Sequence, residues 1–123
     1  MTPPRVLVVD DNRLNVELVA FVLEADGFAV ESVMDAPSAL ASLAGALPDL
    51  ILMDIQLPGM DGLALTRHIK ADAATAHIPI VAFTAYAMTG DEAKARAAGC
   101  EGYVSKPIDV AGFARALRGF LPR

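Results

Sequence analysis

The chain alternates short aliphatic runs with segments whose apolar residues recur every three or four positions. The first, third and fourth runs are continuously apolar, as expected of strands that helices cover on both faces. Glu31 and Ser32 interrupt the second run, which suits an edge strand. The predicted strands are Val6–Val9, Phe28–Val33, Leu50–Met53, Ile80–Phe83 and Tyr103–Val104.

The periodic segments between these runs predict five helices. Asn12 is placed to cap the first, whose apolar stripe ends before Gly27. We expect each apolar stripe to pack against the sheet. The apolar stripes of the first, second and fifth helices are Leu14, Leu18 and Phe21/Val22; Ala36, Leu40, Leu43 and Leu47; and Val110, Phe113, Leu117 and Leu121. The third helix is predicted at residues 62–71. The fourth is predicted to run from a Thr89–Glu92 capping box to Gly99.

The order of these elements indicates the fold class. Strict alternation of strands and helices predicts a parallel sheet with right-handed crossovers. We therefore expect an α/β fold of the flavodoxin-like (βα)5 type, a three-layer sandwich with sheet order 2-1-3-4-5. Residues 1–123 are expected to form a single domain without an output domain, since no linker, repeat or low-complexity tract interrupts the pattern.

Composition excludes several classes of protein. The net charge of −5 and the pI of about 4.8 argue against direct binding of nucleic acid. No segment approaches the roughly 18 apolar residues that a membrane span needs, and Pro3 and Pro4 stand where a signal peptide would be apolar. The single Cys100 excludes an internal disulfide and is expected to be buried. We expect a cytoplasmic protein without membrane insertion.

Polar residues follow four of the five predicted strands. Asp10 and Asp11 end the first strand, Asp54 the third, Thr84 the fourth and Lys106 the fifth. In open α/β sheets, ligands bind beyond the carboxyl ends of the strands where the strand order reverses, here between strands 1 and 3. Each residue alone has an ordinary structural reading, such as a helix cap, a turn or a solvated lysine. Their convergence at one edge is what predicts a site.

Three carboxylates at this point would repel one another. A divalent cation removes that conflict, and Mg²⁺ favours one or two carboxylates together with waters and a phosphate oxygen. We expect Asp11 and Asp54 to be direct Mg²⁺ ligands and Asp10 to bind the ion through water. The backbone carbonyl of Gln56 is a further candidate ligand.

Lys106 and Thr84 extend the predicted chemistry from metal binding to phosphoryl transfer. Lys106 supplies a point charge that can pair with a carboxylate or a phosphoryl oxygen. Thr84 supplies a hydroxyl donor. A carboxylate beside a metal ion, an ammonium and a hydroxyl is suited to attack phosphorus, so Asp54 is the predicted nucleophile.

Four segments of the chain resemble the receiver domain of two-component response regulators, the CheY-like superfamily. The resemblance covers essentially the full length and is closest to single-domain receivers and to receivers attached to hybrid kinases. Four segments in order and at fitting spacings make it specific. They are VLVVDDN at 6–12, DLILMDIQLPGMDGL at 49–63, IPIVAFTAYA at 78–87 and AAGCEGYVSKPID at 97–109.

This resemblance implies a function for the predicted site. Asp54 would accept a phosphoryl group from a histidine kinase or a histidine phosphotransfer protein, and the chain would be a phosphoacceptor switch, not an enzyme. Thr84 would turn toward the phosphoryl group while Tyr103 moves inward. These movements would reshape the face formed by the fourth helix, fifth strand and fifth helix, which would bind an unidentified downstream protein. The resemblance also implies a cis bond between Lys106 and Pro107.

Gln56 and Tyr86 occupy positions that in this family tune the lifetime of the phosphoaspartate.

Three alternative functions make different demands on the sequence. A receiver that acts by contact alone usually lacks an acidic residue or the lysine, and this chain keeps them. A haloacid-dehalogenase-like hydrolase needs Asp-x-Asp where this chain has Asp10-Asp11-Asn12. A flavodoxin needs a Ser/Thr/Gly-rich phosphate loop, which the first turn lacks.

Overall fold

The computed structural model describes residues 2–57, 59, 61–84, 91–106 and 108–121. The predicted strands agree with the observed ones to within one residue at each end. None of the described helices is long and apolar enough to cross a membrane. The elements are β1 (Arg5–Val9), α1 (Arg13–Ala25), β2 (Ala29–Val33), α2 (Ala36–Gly45), β3 (Leu50–Asp54), α3 (Gly62–Ala71), β4 (Ile80–Thr84), α4 (Asp91–Ala98), β5 (Gly102–Ser105) and α5 (Phe113–Arg118).

Three predictions concern residues outside the described ranges. The capping box of α4 depends on Thr89, the cis bond on Pro107, and one of the two lifetime positions on Tyr86. These stay predictions.

The five strands form one parallel sheet in the order β2-β1-β3-β4-β5, which confirms the predicted flavodoxin-like topology. β3 and β4 are buried along their whole length, and β2 lies at an edge, as predicted, with Glu31 and Ser32 exposed and its other residues half-buried. In the register, Asp54 pairs with Phe83 and Thr84 with Ser105. The carboxyl ends of β3, β4 and β5 therefore lie side by side.

Two apolar layers cover the sheet. The layer on one face comes from α1 and α5, and the layer on the other face comes from α2, α3 and α4. The alternating strand residues divide between the two, since successive side chains point to opposite faces. Buried residues of the first layer include Val19, Leu23, Phe113 and Leu117, and those of the second include Leu43, Leu65, Ile69 and Ala95.

Side-chain caps fix where three of the helices begin. The carbonyl or carboxylate oxygens of Asn12, Asp35 and Asp61 accept hydrogen bonds from the backbone amide three residues later, at 3.2, 2.8 and 2.7 Å. Such a cap satisfies one of the amides that a helix start leaves unpaired. The prediction that Asn12 caps the first helix is confirmed, and this cap holds the first turn of α1 beside the end of β1.

The predicted packing of α1 is wrong. Leu14, Leu18 and Phe21 are 77%, 40% and 73% exposed, so most of the predicted stripe faces away from the sheet. Val22 of the predicted stripe is 8% exposed, and it forms the packed face together with Val19 and Leu23, which are 1% and 0% exposed. The helix has apolar residues on two faces. The spacing of the solvent-facing residues fits a helical repeat as well as the spacing of the buried residues does.

Two further stripe residues are also exposed. Leu47 is 43% exposed and lies beyond the end of α2 at Gly45. Val110 is 57% exposed and precedes the start of α5 at Phe113. Leu47 and Val110 therefore lie outside the helices to which their stripes were assigned, and these two side chains do not reach the core.

We predict that Phe21→Ala changes the free energy of unfolding by less than about 0.5 kcal/mol, as surface substitutions usually do. Leu23→Ala, in the same helix, should lower it by about 2–5 kcal/mol because it opens a cavity in the core. Urea denaturation of the two variants measures the difference. A cost for Phe21→Ala equal to that of Leu23→Ala would contradict the observed orientation of α1.

Candidate functional site

The polar residues predicted to converge all lie at the carboxyl edge of the sheet. Asp10 directly follows β1, Asp54 and Thr84 are the last residues of β3 and β4, and Lys106 directly follows β5. Asp10, Asp54 and Thr84 are 0%, 5% and 2% exposed, whereas Asp11 is exposed. The site therefore has a buried floor and one acidic residue at its surface.

Carboxylate oxygens of Asp10, Asp11 and Asp54 lie within 4.8 Å of one another. Oxygen donors of this kind are the ligands that hard divalent cations prefer. The buried Oδ2 of Asp10 accepts no hydrogen bond from the described residues, although the Lys106 ammonium is 3.0 Å away in an ion pair. Three carboxylates stand against one ammonium in this cluster, so it fits the predicted cation.

Lys106 connects the two buried carboxylates. Its Nζ lies 3.0 Å from Oδ2 of Asp10 and donates a hydrogen bond to Oδ2 of Asp54 at 3.3 Å. The ammonium also lies 4.9 Å from the centre of the Phe83 ring, a distance at which a cation interacts favourably with an aromatic face. The Lys106 backbone amide donates to the Thr84 carbonyl at 2.7 Å, which fixes the end of β5 against β4.

The environment of Asp54 changes its acidity. Burial raises the pKa of Asp54 from 3.8 to about 6, and the negative charge of Asp10 adds to the increase. The backbone amide of Gln56, which donates to Oδ1 of Asp54 at 3.0 Å, and the charge of Lys106 lower the pKa. Asp54 is therefore mainly ionised at pH 7 but poorly solvated, as a reactive carboxylate should be.

Gln56 was predicted as a backbone ligand of the cation and Tyr103 as a switch residue, and the two lie in different parts of the structure. Gln56 follows Asp54 by two residues and lines the cavity above it, and its backbone carbonyl stays a predicted ligand. Tyr103 lies in β5 and packs, half-buried, against the apolar layer formed by α2, α3 and α4. The switch roles of Thr84 and Tyr103 stay predictions.

A cavity of about 420 Å³ opens above Asp54, and sequence reasoning missed part of its lining. Asn15 and Leu57 had no predicted role there, and Asn12 was predicted only as a helix cap. The sequence did hold a signal for Asn15, since it stands four residues before Val19, the separation at which helical residues share a face. The full lining is Asp11, Asn12, Asn15, Asp54, Gln56, Leu57 and Lys106.

A larger cavity lies elsewhere in the molecule. It measures about 510 Å³ and lies between α2 and the end of α3, with an apolar lining that includes Leu40, Leu43 and Ile69. It contains none of the predicted site residues. Size therefore does not identify the chemically interesting cavity in this chain.

Gly62 also shapes the site. A Cβ atom at this position would lie 2.8 Å from the carbonyl carbon of Asp54, closer than such contacts occur. The Gly62 amide donates to the Ile55 carbonyl at 2.7 Å. Glycine therefore lets the start of α3 pack directly on the backbone that carries Asp54.

Residues 6–118 match the family model of the response regulator receiver domain. The chain belongs to the response regulator receiver domain family. It is a receiver domain of two-component signalling, as its sequence motifs indicated.

Individual relatives agree with this assignment. The receiver is 44% identical over 119 residues to the polar-differentiation response regulator DivK of Brucella anthropi, a match that covers 97% of each chain. It superposes on the chemotaxis response regulator CheY4 of Vibrio cholerae with a TM-score of 0.90 and 27% identity, covering 98% of this chain and 100% of that one.

A third relative carries a metal ion. It is the receiver domain of the sensor histidine kinase PA1611 from Pseudomonas aeruginosa, with a TM-score of 0.87 and 35% identity. The match covers 96% of this chain and 97% of that one. That structure has a magnesium ion coordinated in its active-site cleft.

The raised pKa predicts that Asp54→Asn stabilises the metal-free receiver at pH 7. A carboxylate whose pKa rises from 3.8 to about 6 on folding is penalised when ionised, so stability falls as the pH rises between these values. Removing the charge should raise the free energy of unfolding by about 1–3 kcal/mol at pH 7. The gain should largely vanish near pH 4.

Chemical denaturation in the presence of EDTA at both pH values measures this effect. Asp61→Asn is the matched control, because it removes the same charge from an exposed position and keeps a side chain that caps helices equally well. An equal gain from Asp54→Asn at both pH values would contradict burial of an ionised carboxylate as its cause.

Proposed function

We propose that this receiver accepts a phosphoryl group on Asp54 from the phosphohistidine of a histidine kinase or a histidine phosphotransfer protein. The observation that supports the proposal best is the convergence of three carboxylates within 4.8 Å, with the Lys106 ammonium 3.3 Å from Asp54. A negatively charged phosphoryl group that approaches a carboxylate needs cationic partners at its oxygens, and Lys106 supplies one at this edge of the sheet.

The proposed transfer balances as a simple displacement. A lone pair on a carboxylate oxygen of Asp54 forms the new bond to phosphorus, and the bond between phosphorus and the histidine nitrogen breaks. The electron pair of that bond returns to the imidazole, which leaves as histidine. Lys106 pairs with charge on the transferred oxygens, while the backbone amide of Gln56 keeps Asp54 oriented.

We propose Mg²⁺ as the cation of the site. Asp11 and Asp54 would bind it directly, Asp10 through water, and the backbone carbonyl of Gln56 would complete the protein ligands. When bound, the ion neutralises charge on the phosphoryl oxygens. Support comes from the three carboxylates whose oxygens lie within 4.8 Å of one another and from the magnesium ion in the cleft of the related PA1611 receiver.

The phosphorylated site would signal through its neighbours at the ends of β4 and β5. Thr84 would turn toward the phosphoryl group, Tyr103 would move inward, and the face formed by α4, β5 and α5 would bind a downstream protein. A shift of such an equilibrium from 1:99 to 99:1 needs about 5.5 kcal/mol. The ends of β4 and β5 are joined by the bond from the Lys106 amide to the Thr84 carbonyl, so they can respond together.

Three broader expectations stay predictions beside this proposal. They are that residues 1–123 act as a single domain, that the protein is cytoplasmic, and that it is a switch and not an enzyme. No direct contact with nucleic acid is expected.

A small phosphodonor tests the acceptor directly. With acetyl phosphate and Mg²⁺, the wild-type protein should gain one phosphoryl group by mass spectrometry and lose it at alkaline pH. Asp54→Asn should gain none, while Asp61→Asn should be modified as the wild type is. A phosphoryl group on another residue would contradict the proposal. A folded wild-type protein that neither acetyl phosphate nor a phosphotransfer protein can modify would favour a receiver that acts by contact alone.

Lys106 is expected to couple the phosphoryl group to the switch. Beryllium fluoride with saturating Mg²⁺ should shift the amide NMR signals of residues 102–105 in the wild type, and Lys106→Ala should lose most of that shift. Signals next to Asp54 should still respond, because the acceptor itself remains. Lys94→Ala, which removes an exposed lysine from α4, is the matched control. A full response at residues 102–105 in Lys106→Ala would show that this coupling role is wrong.

A further inference from the structure

Six polar residues line the cavity above Asp54, and three of them, Asn12, Asp54 and Lys106, have a side-chain partner within the described part of the chain. The two oxygens of Asp54 contact the Gln56 amide and Lys106, and Asn12 accepts the hydrogen bond that caps α1. Asn15 lines the same cavity, and its side-chain amide makes no hydrogen bond within the described part of the chain. An amide that faces an acidic cavity without a partner is available to a ligand.

The position of Asn15 follows from the rotation of α1. Val19 and Val22 lie four and seven residues later and are 1% and 8% exposed, so all three share the face turned toward the sheet. Helical side chains also tilt toward the amino-terminal end of their helix. The amide of Asn15 is therefore directed over the first turn of α1, next to Asp11, and the Asn12 cap holds that turn in place.

The chemistry of an amide suits this position. The cavity already holds carboxylates, which only accept hydrogen bonds, and one ammonium. A phosphoryl group on Asp54 would bring further acceptor oxygens into the cavity. Lys106 reaches the cavity from the end of β5, whereas Asn15 reaches it from α1 and adds a donor without changing the charge. An aspartate in its place would instead repel the phosphoryl group.

We propose that the side-chain amide of Asn15 donates a hydrogen bond to the phosphoryl group carried by Asp54. This inference rests on the proposed function and assigns Asn15 as a phosphoryl-binding residue on the α1 wall of the site. The inference gives the residues of the site two separate roles: the carboxylates bind the cation, and Asn15 binds the phosphoryl group. Loss of the amide should therefore affect the phosphoryl group and leave cation binding unchanged.

Beryllium fluoride, which imitates the phosphoryl group on the acceptor aspartate, tests this division of roles. With saturating Mg²⁺, Asn15→Ala should bind it at least about tenfold more weakly than the wild type, the loss expected for one hydrogen bond to a charged group. Asn15→Asp should bind it more weakly still because of charge repulsion. Phosphorylation by acetyl phosphate should slow in the same order, and the affinity of Asn15→Ala for Mg²⁺ alone should stay as in the wild type.

Leu14→Ala is the matched control, because Leu14 lies in the same turn, is 77% exposed and does not line the cavity. It should bind beryllium fluoride as the wild type does. Wild-type affinity in Asn15→Ala would overturn the inference, and so would an equal loss of Mg²⁺ affinity, which would make Asn15 a residue that only shapes the carboxylate cluster. Failure of the folded wild type itself to bind beryllium fluoride or accept phosphate would identify the proposed function as the error.

Discussion

The ammonium of Lys106 lies between two buried carboxylates, 3.0 Å from Asp10 and 3.3 Å from Asp54, with Asp11 at the surface beside them. One cation cannot balance three carboxylates, two of which are buried. The site therefore keeps an excess of negative charge that the folded chain alone does not neutralise. Burial of this charge raises the pKa of Asp54 to about 6 and also makes the cluster receptive to a divalent cation.

The parallel sheet makes this costly arrangement possible. Its stability comes from the two apolar layers, and the charged residues at the strand ends belong to neither layer. The chain can therefore place charges at the carboxyl edge without disturbing the core. Fixed backbone contacts then hold those charges in position: the Lys106 amide bonds to Thr84, and Gly62 lets α3 pack closely behind Asp54. A rigid support of this kind is what a preorganised charged site requires.

The sequence predicted the strand ends well because the signal there is local: an aliphatic run stops and a polar residue follows. Asp54 and Lys106 were found in this way. The role of Gly62 could not be predicted from the sequence. It depends on how closely two backbone segments approach each other, and the pattern of residue types gives no sign of that distance. The orientation of α1 was wrong for a related reason. Both of its faces carry apolar residues, and only packing against the sheet decides which face is buried.

The error in α1 and the unexpected lining of the cavity have one cause. The rotation that turns Phe21 toward solvent also turns Val19, Val22 and Asn15 toward the sheet. A buried helical stripe is ordinarily apolar throughout, yet this one begins with an amide. The exception falls where the stripe passes beyond the apolar layer and reaches the cavity above Asp54. Asn15 is therefore polar because the amino-terminal end of α1 faces an acidic cavity and not the apolar core.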